Sequence, residues 1–233
     1  MIEHVASAAG DFRLSMDELR VVTRFVTASA EEVLPVFEKA VPDDDRPFLA
    51  IEAARAFING ARRSKLQRVA SLNAHRAAAQ ARTEVVRLAA RCAGDAAAAP
   101  YLHPIARGSQ VGHILRASAT AARIAELESG GSAAVGDRAI ERVRQSATPT
   151  LIDVLRRYPP PPTADNRVAH LMTTLDAALR ELTEAAEALH GPLRVLAGQS
   201  GSGGDPVSAR TATLRRGCLL PSTGTASPTM KAW

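Results

Sequence analysis

Aromatic side chains are scarce in this sequence, and the shortage limits the folds that it can adopt. They account for 3% of the 233 residues, although 46% of the residues are hydrophobic. A β-sandwich or barrel would need more aromatic and β-branched residues, whereas the abundant Ala, Leu, Arg and Glu are strong helix formers. We therefore predict an all-α protein, with about six to eight helices in a single compact domain. Its core must be built from small side chains and close contacts between helices.

Cysteine is also scarce, since only Cys92 and Cys218 occur in the chain. Two cysteines so far apart provide neither a zinc-binding spacing nor a disulfide framework. Residues 1–12 lack the basic start and long apolar run of a signal peptide. A membrane helix would need about 18 consecutive apolar residues, and the sequence has no such stretch. We expect a cytoplasmic protein without a membrane association.

Motifs that predict catalysis are missing as well. The sequence has no HExxH zinc motif and no GxSxG nucleophile motif. Its SGSGG segment, residues 200–204, lacks the following Gly-Lys-Ser/Thr of a phosphate-binding loop. We therefore predict a protein that is not an enzyme and needs no cofactor.

Apolar periodicity predicts helices through most of residues 1–190. Ser15 with Glu18 has the capping-box pattern ahead of a helix at 16–40, which is bent or interrupted near Pro35. Ser64 with Gln67 repeats the pattern ahead of a long third helix, which ends or bends at Gly94. The apolar stripe of that helix comprises Leu66, Ala70, Ala74, Ala77, Ala81, Val85, Leu88 and Cys92. Further helices are predicted at 46–62, 109–128, 136–147, 149–157 and 164–189. Residues 191–233 are rich in Gly, Ser, Thr and Pro, and we expect a disordered tail there.

The net charge of +5 is distributed unevenly. Residues 1–60 carry −5 and residues 125–190 carry −3, whereas residues 61–124 carry +9 and residues 191–233 carry +4. A basic helical face within 61–124 is one requirement for binding nucleic acid. However, no zinc finger or RNA-binding motif accompanies it. A solvated face near the acidic segments is the simpler interpretation, and a nucleic-acid-associated protein or a helical scaffold remains the alternative.

Three consecutive aspartates, Asp43, Asp44 and Asp45, precede Arg46 and Pro47. Carboxylate oxygens are ligands for Mg²⁺ or Ca²⁺, but the calcium-loop pattern is absent. We favour a helix start in which Asp44 or Asp45 caps the helix and Pro47 lies in its first turn.

Three of the six histidines, His75, His103 and His113, lie within one 39-residue stretch. A zinc site requires three or four converging ligands, and no motif here supplies that spacing. We favour polar packing for these histidines, and a metal protein or enzyme that uses them with the aspartates is a further hypothesis.

Four stretches of the chain resemble one bacterial family. They are EEVLPVFEKAVPDDDRPFLAIEAARAF (31–57), AHRAAAQAR (74–82), YLHPIARGSQVGHILRASATAARIAEL (101–127) and LRRYPPPPTADNRVAHLMTTLDAALR (155–180). Together they resemble the immunity proteins that are associated with polymorphic toxin systems.

The resemblance implies an all-helical domain at 1–190 that binds a cognate protein toxin and neutralises it by occlusion, without catalysis. The candidate partner-binding residues are Asp43, Asp44, Asp45, Arg46, His75, His103, Gln110 and His113.

Overall fold

The computed structural model describes residues 12–190, with side chains as far as residue 182, and this part of the chain contains no strand. Its α-helices are α1 (Met16–Ala40), α2 (Arg46–Ile58), α3 (Lys65–Gln80), α4 (Glu84–Ala98), α5 (Gly112–Glu128), α6 (Ala133–Ser146), α7 (Pro149–Arg156) and α8 (Arg167–His190). Two short 3-10 helices, Ala99–Tyr101 and Gly108–Val111, lie between α4 and α5. The all-α prediction is confirmed. The predicted tail at 191–233 and residues 1–11 lie outside the described residues.

Polar caps at the helix starts agree with the sequence patterns. The Glu18 N–H donates to the Ser15 hydroxyl over 3.1 Å, and the Ser15 N–H donates to the Glu18 carboxylate over 2.7 Å. Ser64 and Gln67 form the second predicted capping box. These bonds satisfy N–H groups that have no partner within the helix. The predicted bounds of α1 are therefore confirmed, and the helix continues through Pro35 without interruption.

Helix α4 lies at the centre of the domain, where it packs against α1, α2, α3 and α5. Its buried surface consists mainly of alanine, with Ala89, Ala90, Cys92 and Ala93 fully inaccessible to solvent. Small side chains allow neighbouring helix axes to approach closely, and close-packed atoms gain dispersion energy. The predicted core of small side chains is confirmed.

The single long helix predicted after Ser64 is wrong, because the chain breaks at Ala81–Thr83. Ala81 is extended, and the Thr83 hydroxyl caps α4 by accepting the N–H of Val86 over 3.4 Å. No glycine or proline marks this break, so the apolar stripe appeared continuous in the sequence. The prediction that Leu66 belongs to the buried stripe is also wrong, because this residue is 58% exposed.

Gly94 neither ends nor bends a helix in the way that the sequence predicted. It lies buried within α4, and a Cβ atom at this position would stand 2.7 Å from the ring of His75. The His75 ring packs against the backbone of α4 here, and a larger residue would displace the ring. The helix predicted at 46–62 ends earlier, at Ile58, and Gly60 then adopts a positive φ of 103°.

A buried carboxylate joins α5, α6 and α8. Glu126 of α5 is 1% exposed and accepts hydrogen bonds from Arg123 on its own helix and from Arg167 at the start of α8. Gly136 of α6 lies directly against the Glu126 carboxylate. Since a buried charge requires paired partners, this cluster fixes how α6 and α8 pack on α5.

In the part of the chain that the structure describes, none of the helices combines the length and the apolar character needed to cross a membrane.

Candidate functional site

The acidic stretch before α2 is organised around one ion pair. The Arg46 guanidinium donates to both carboxylate oxygens of Asp44, over 2.7 and 2.6 Å. The backbone N–H of Arg46 also donates to the Asp44 carboxylate, over 3.2 Å. The guanidinium also donates to the side chain of Gln80 over 2.6 Å. These bonds hold the pKa of Asp44 below its ordinary value.

The three aspartates therefore differ in their roles. Asp45 occupies the N-cap position of α2, but its side chain accepts no capping bond. Asp44 instead accepts the N–H of the first helical residue. The side chains of Asp43 and Asp45 are exposed to solvent. The Arg46–Gln80 bond ties the start of α2 to the end of α3, so the stretch orients two helices.

Beside Arg46 lies an exposed apolar surface, which we call the α2–α3 face and define as Leu49, Leu66, Val69 and Leu72. Leu66 and Leu72 are each 58% exposed, and Leu49 and Val69 are 48% and 42% exposed. Arg46 and Glu52 border a groove of about 290 Å³ between Leu49, Leu66 and Val69. Leu66, Val69 and Leu72 recur every three residues and therefore lie along one side of α3. Exposed patches of large apolar side chains commonly mark protein-binding surfaces.

Cations border the α2–α3 face on one side. No acidic residue occurs between Glu52 and Glu84, whereas this interval holds seven Lys and Arg residues. Arg63 and Arg68 lie over the ring of Tyr101, at 5.5 and 5.6 Å from its centroid. Among the described residues, neither of them forms an ion pair with a carboxylate. The rim of the face therefore carries positive charge that a binding partner can neutralise.

A second site is a cleft of about 650 Å³ between α3, α4, α5 and the start of α8. We call it the arginine cleft, because Arg87, Arg91 and Arg116 line it. Arg116 forms a two-bond ion pair with the buried carboxylate of Asp95, over 2.9 and 2.6 Å. The remaining wall residues are His75, Ala79, Leu88, Thr120, Asn166 and Val168.

His75 lies at the wall of the arginine cleft, with its Nε2 atom 3.9 Å from a carboxylate oxygen of Asp95. Burial lowers the pKa of His75 below its ordinary value, and this effect outweighs the opposing charge of Asp95. Burial likewise lowers the pKa of His113, with smaller effects from Arg116, Asp95 and His103. Both imidazoles are therefore mainly neutral at pH 7.

His103 and Gln110 form hydrogen bonds that hold the connection between α4 and α5 in place. The His103 N–H donates to the Gln110 side chain over 3.2 Å, and the His103 carbonyl accepts the Tyr158 hydroxyl over 2.9 Å. The structure thus separates the candidate partner-binding residues into four places: the start of α2 (43–46), the arginine cleft (His75), this connection (His103 and Gln110) and the first turn of α5 (His113). No three potential ligands among His, Cys, Asp and Glu come together as a metal site within residues 12–190.

The sequence interpretation missed the α2–α3 face and the pair of Asp95 with Arg116. Leu66 fitted the apolar stripe of a continuous helix, so its exposure could not be predicted from periodicity. Asp95 offered a signal, because a lone acid within the segment AGDAAAAP requires a partner if the segment is buried. Which arginine supplies that partner depends on how α4 and α5 pack.

Comparison of this chain with curated proteins and with solved structures gave no match. The sequence model of one protein family, described as Imm-5 like putative immunity protein, matches residues 13–149. The match spans more than half of the 233 residues and covers α1 to α6. It includes the start of α2, the whole α2–α3 face and the three arginines of the cleft. The chain therefore belongs to the Imm-5 like immunity protein family.

Proposed function

We propose that this protein is an immunity protein that binds a cognate bacterial toxin and neutralises it by occlusion, without catalysis. Family membership supports the immunity role. The observation that carries the binding proposal is the α2–α3 face, where four large apolar side chains remain exposed beside a cationic rim. Occlusion requires a complementary surface and no reacting group.

The toxin surface that fits this face is apolar at its centre and acidic at its edge. Leu66 and Leu72 lose contact with water on binding, and each buried leucine contributes about 1.5–3 kcal/mol. The cations at the rim lie outside the apolar centre, where charges mainly steer association and exclude wrong partners. The Asp44–Arg46–Gln80 bonds hold α2 against α3 before binding, which reduces the entropy lost in the complex.

Nucleic acid is the second candidate partner, because the same region of the chain is basic. The exposed leucines favour a protein, since nucleic acid binding relies on phosphate contacts and on aromatic stacking. Tyr101 lies beside this rim, and two guanidinium groups already lie over its ring. Binding to nucleic acid would weaken steeply with salt, whereas an apolar contact with a toxin would weaken little.

The test is co-expression with the toxin encoded by the neighbouring gene. Wild-type protein should restore growth and co-purify with the toxin. The Leu66→Asp/Leu72→Asp variant should lose at least about 2 kcal/mol of binding energy, which is roughly 30-fold in affinity, and with it the protection. Met16→Asp is the matched control, because Met16 is also an exposed apolar residue, 38% accessible, and lies at the start of α1.

Two results would contradict the proposal. If the wild-type protein neither restores growth nor forms a complex, the immunity role is wrong. If the double aspartate variant is folded by circular dichroism and protects as well as wild type, the toxin binds elsewhere.

A further inference from the structure

The arginine cleft has an excess of positive charge that no carboxylate among the described residues neutralises. Asp95 and Arg116 neutralise one another through their two-bond pair. Arg87 and Arg91 line the same cleft, and their guanidinium groups form no hydrogen bond or ion pair with the described residues. Two positive charges therefore remain uncompensated at the wall of the cleft.

The spacing of these two arginines is unfavourable without a ligand. Arg87 and Arg91 are four residues apart on α4, so they lie on one side of the helix, where like charges repel. The charges of Arg91 and Arg116 also help to lower the pKa of His75, as expected beside concentrated positive charge. A bound anion would remove this repulsion.

The start of α8 adds to the positive field. Asn166 and Val168 line the cleft, and the Asn166 side chain caps α8 by accepting the N–H of Ala169 over 2.9 Å. A helix carries partial positive charge at its N-terminus, where anions are stabilised. Thus α4 and α8 both present positive charge to the same space, beside the neutralised pair of Asp95 and Arg116.

We propose that the arginine cleft is a phosphate-binding site, which takes either free phosphate or the phosphate group of a small organic molecule. A phosphate monoester carries a charge of about −1.5 to −2 at pH 7, which matches Arg87 and Arg91. Guanidinium groups bind phosphate oxygens through paired, charge-assisted hydrogen bonds. The apolar side chains of Ala79 and Leu88 form a wall for an organic part. The cleft volume of about 650 Å³ lies within the range of small-molecule sites.

The site is independent of toxin binding, because none of its residues belongs to the α2–α3 face. Asp95 has a positioning role in this proposal: it holds the Arg116 guanidinium in place. Its negative charge is directed at Arg116 and is balanced there.

Isothermal titration calorimetry with the full chain at low salt tests the proposal, with inorganic phosphate, AMP and adenosine as ligands. We expect saturable binding of inorganic phosphate, AMP or both, and none of adenosine, which lacks the phosphate. Binding of phosphate alone identifies free phosphate as the ligand, and binding of AMP alone identifies an organic phosphate. The Arg87→Ala/Arg91→Ala variant should bind at least about tenfold more weakly, because charge-assisted hydrogen bonds are lost.

The matched control is Arg24→Ala/Arg138→Ala, which removes the same charge from exposed positions on α1 and α6. This control should retain wild-type affinity. Failure to bind phosphate and AMP, equal binding of adenosine and AMP, or equal loss in the control would each overturn the proposal. Toxin protection should persist in Arg87→Ala/Arg91→Ala, so the two proposals can fail separately.

Discussion

Replacing Gly136 with alanine tests the close packing around the buried Glu126 carboxylate. A Cβ atom at Gly136 would stand 2.1 Å from Oε1 of Glu126 and 2.6 Å from its Cδ atom. Glu126 is 1% exposed, and Arg167 donates two hydrogen bonds to that same Oε1 atom. The carboxylate cannot move away without breaking these bonds.

The expected loss of stability follows from opposing effects. Alanine is better than glycine within a helix by about 1 kcal/mol. Losing hydrogen bonds to a buried charge costs about 1.5–3 kcal/mol, and moving α6 away instead costs about 1–3 kcal/mol through overpacking. We expect a net loss of about 1 kcal/mol, which corresponds to a melting temperature about 2–4 °C lower in a domain of this size.

Urea denaturation followed by far-ultraviolet circular dichroism measures this loss. Gly112→Ala is the matched control, because a Cβ atom there has an ordinary contact of 3.5 Å with Arg116. It should leave stability unchanged or raise it by up to about 1 kcal/mol. In a Glu126→Ala background the clash is absent, so Gly136→Ala should be neutral or stabilising.

The reasoning is refuted if Gly136→Ala is as stable as wild type. It is also refuted if the same loss persists in the Glu126→Ala background, because the two positions would then be uncoupled.

Two further predictions concern the core. Cys92→Arg should unfold the domain, because Cys92 is fully buried in α4 and an arginine there would be an unpaired buried charge. The control variant Cys92→Ala should stay folded. An unchanged melting temperature for Cys92→Arg would contradict the buried position of this residue. Glu126→Gln should be less stable than wild type at pH 7. Burial raises the pKa of Glu126, but the hydrogen bonds and charges of Arg167 and Arg123 together outweigh burial and lower that pKa below 4.5. That advantage of wild type should shrink as pH falls below 4.5 and the carboxylate takes up a proton. Urea denaturation at several pH values between 7 and 3 measures the difference, and a constant difference would show that the charge of Glu126 has no role.

Local features of the fold were predictable because they depend on neighbouring residues. The capping boxes at Ser15 and Ser64 need only a residue three positions away, and both formed as predicted. The all-α class follows from composition and periodicity. The start of α2 also followed from its local pattern, although Asp44 accepts the bond that Asp45 was equally expected to accept.

The candidate site was less predictable, because its residues converge from separate helices. The sequence predicted a helix end or a bend at Gly94, whereas this glycine lies within α4 against the His75 ring. Leu66 was predicted to be buried because, in the sequence, the apolar positions of α3 and α4 follow one continuous helical spacing. Neither position reveals its neighbour through sequence spacing.

By itself, the sequence determined the helical class, the starts of most helices and a core of small side chains, since each of these depends on residues within a few positions of one another. Only the tertiary structure decided which apolar side chains stay exposed on the α2–α3 face and which arginines gather around Asp95. The physical reason is that exposure and charge pairing depend on the packing of distant segments, which brings α3, α4, α5 and α8 together around one cleft.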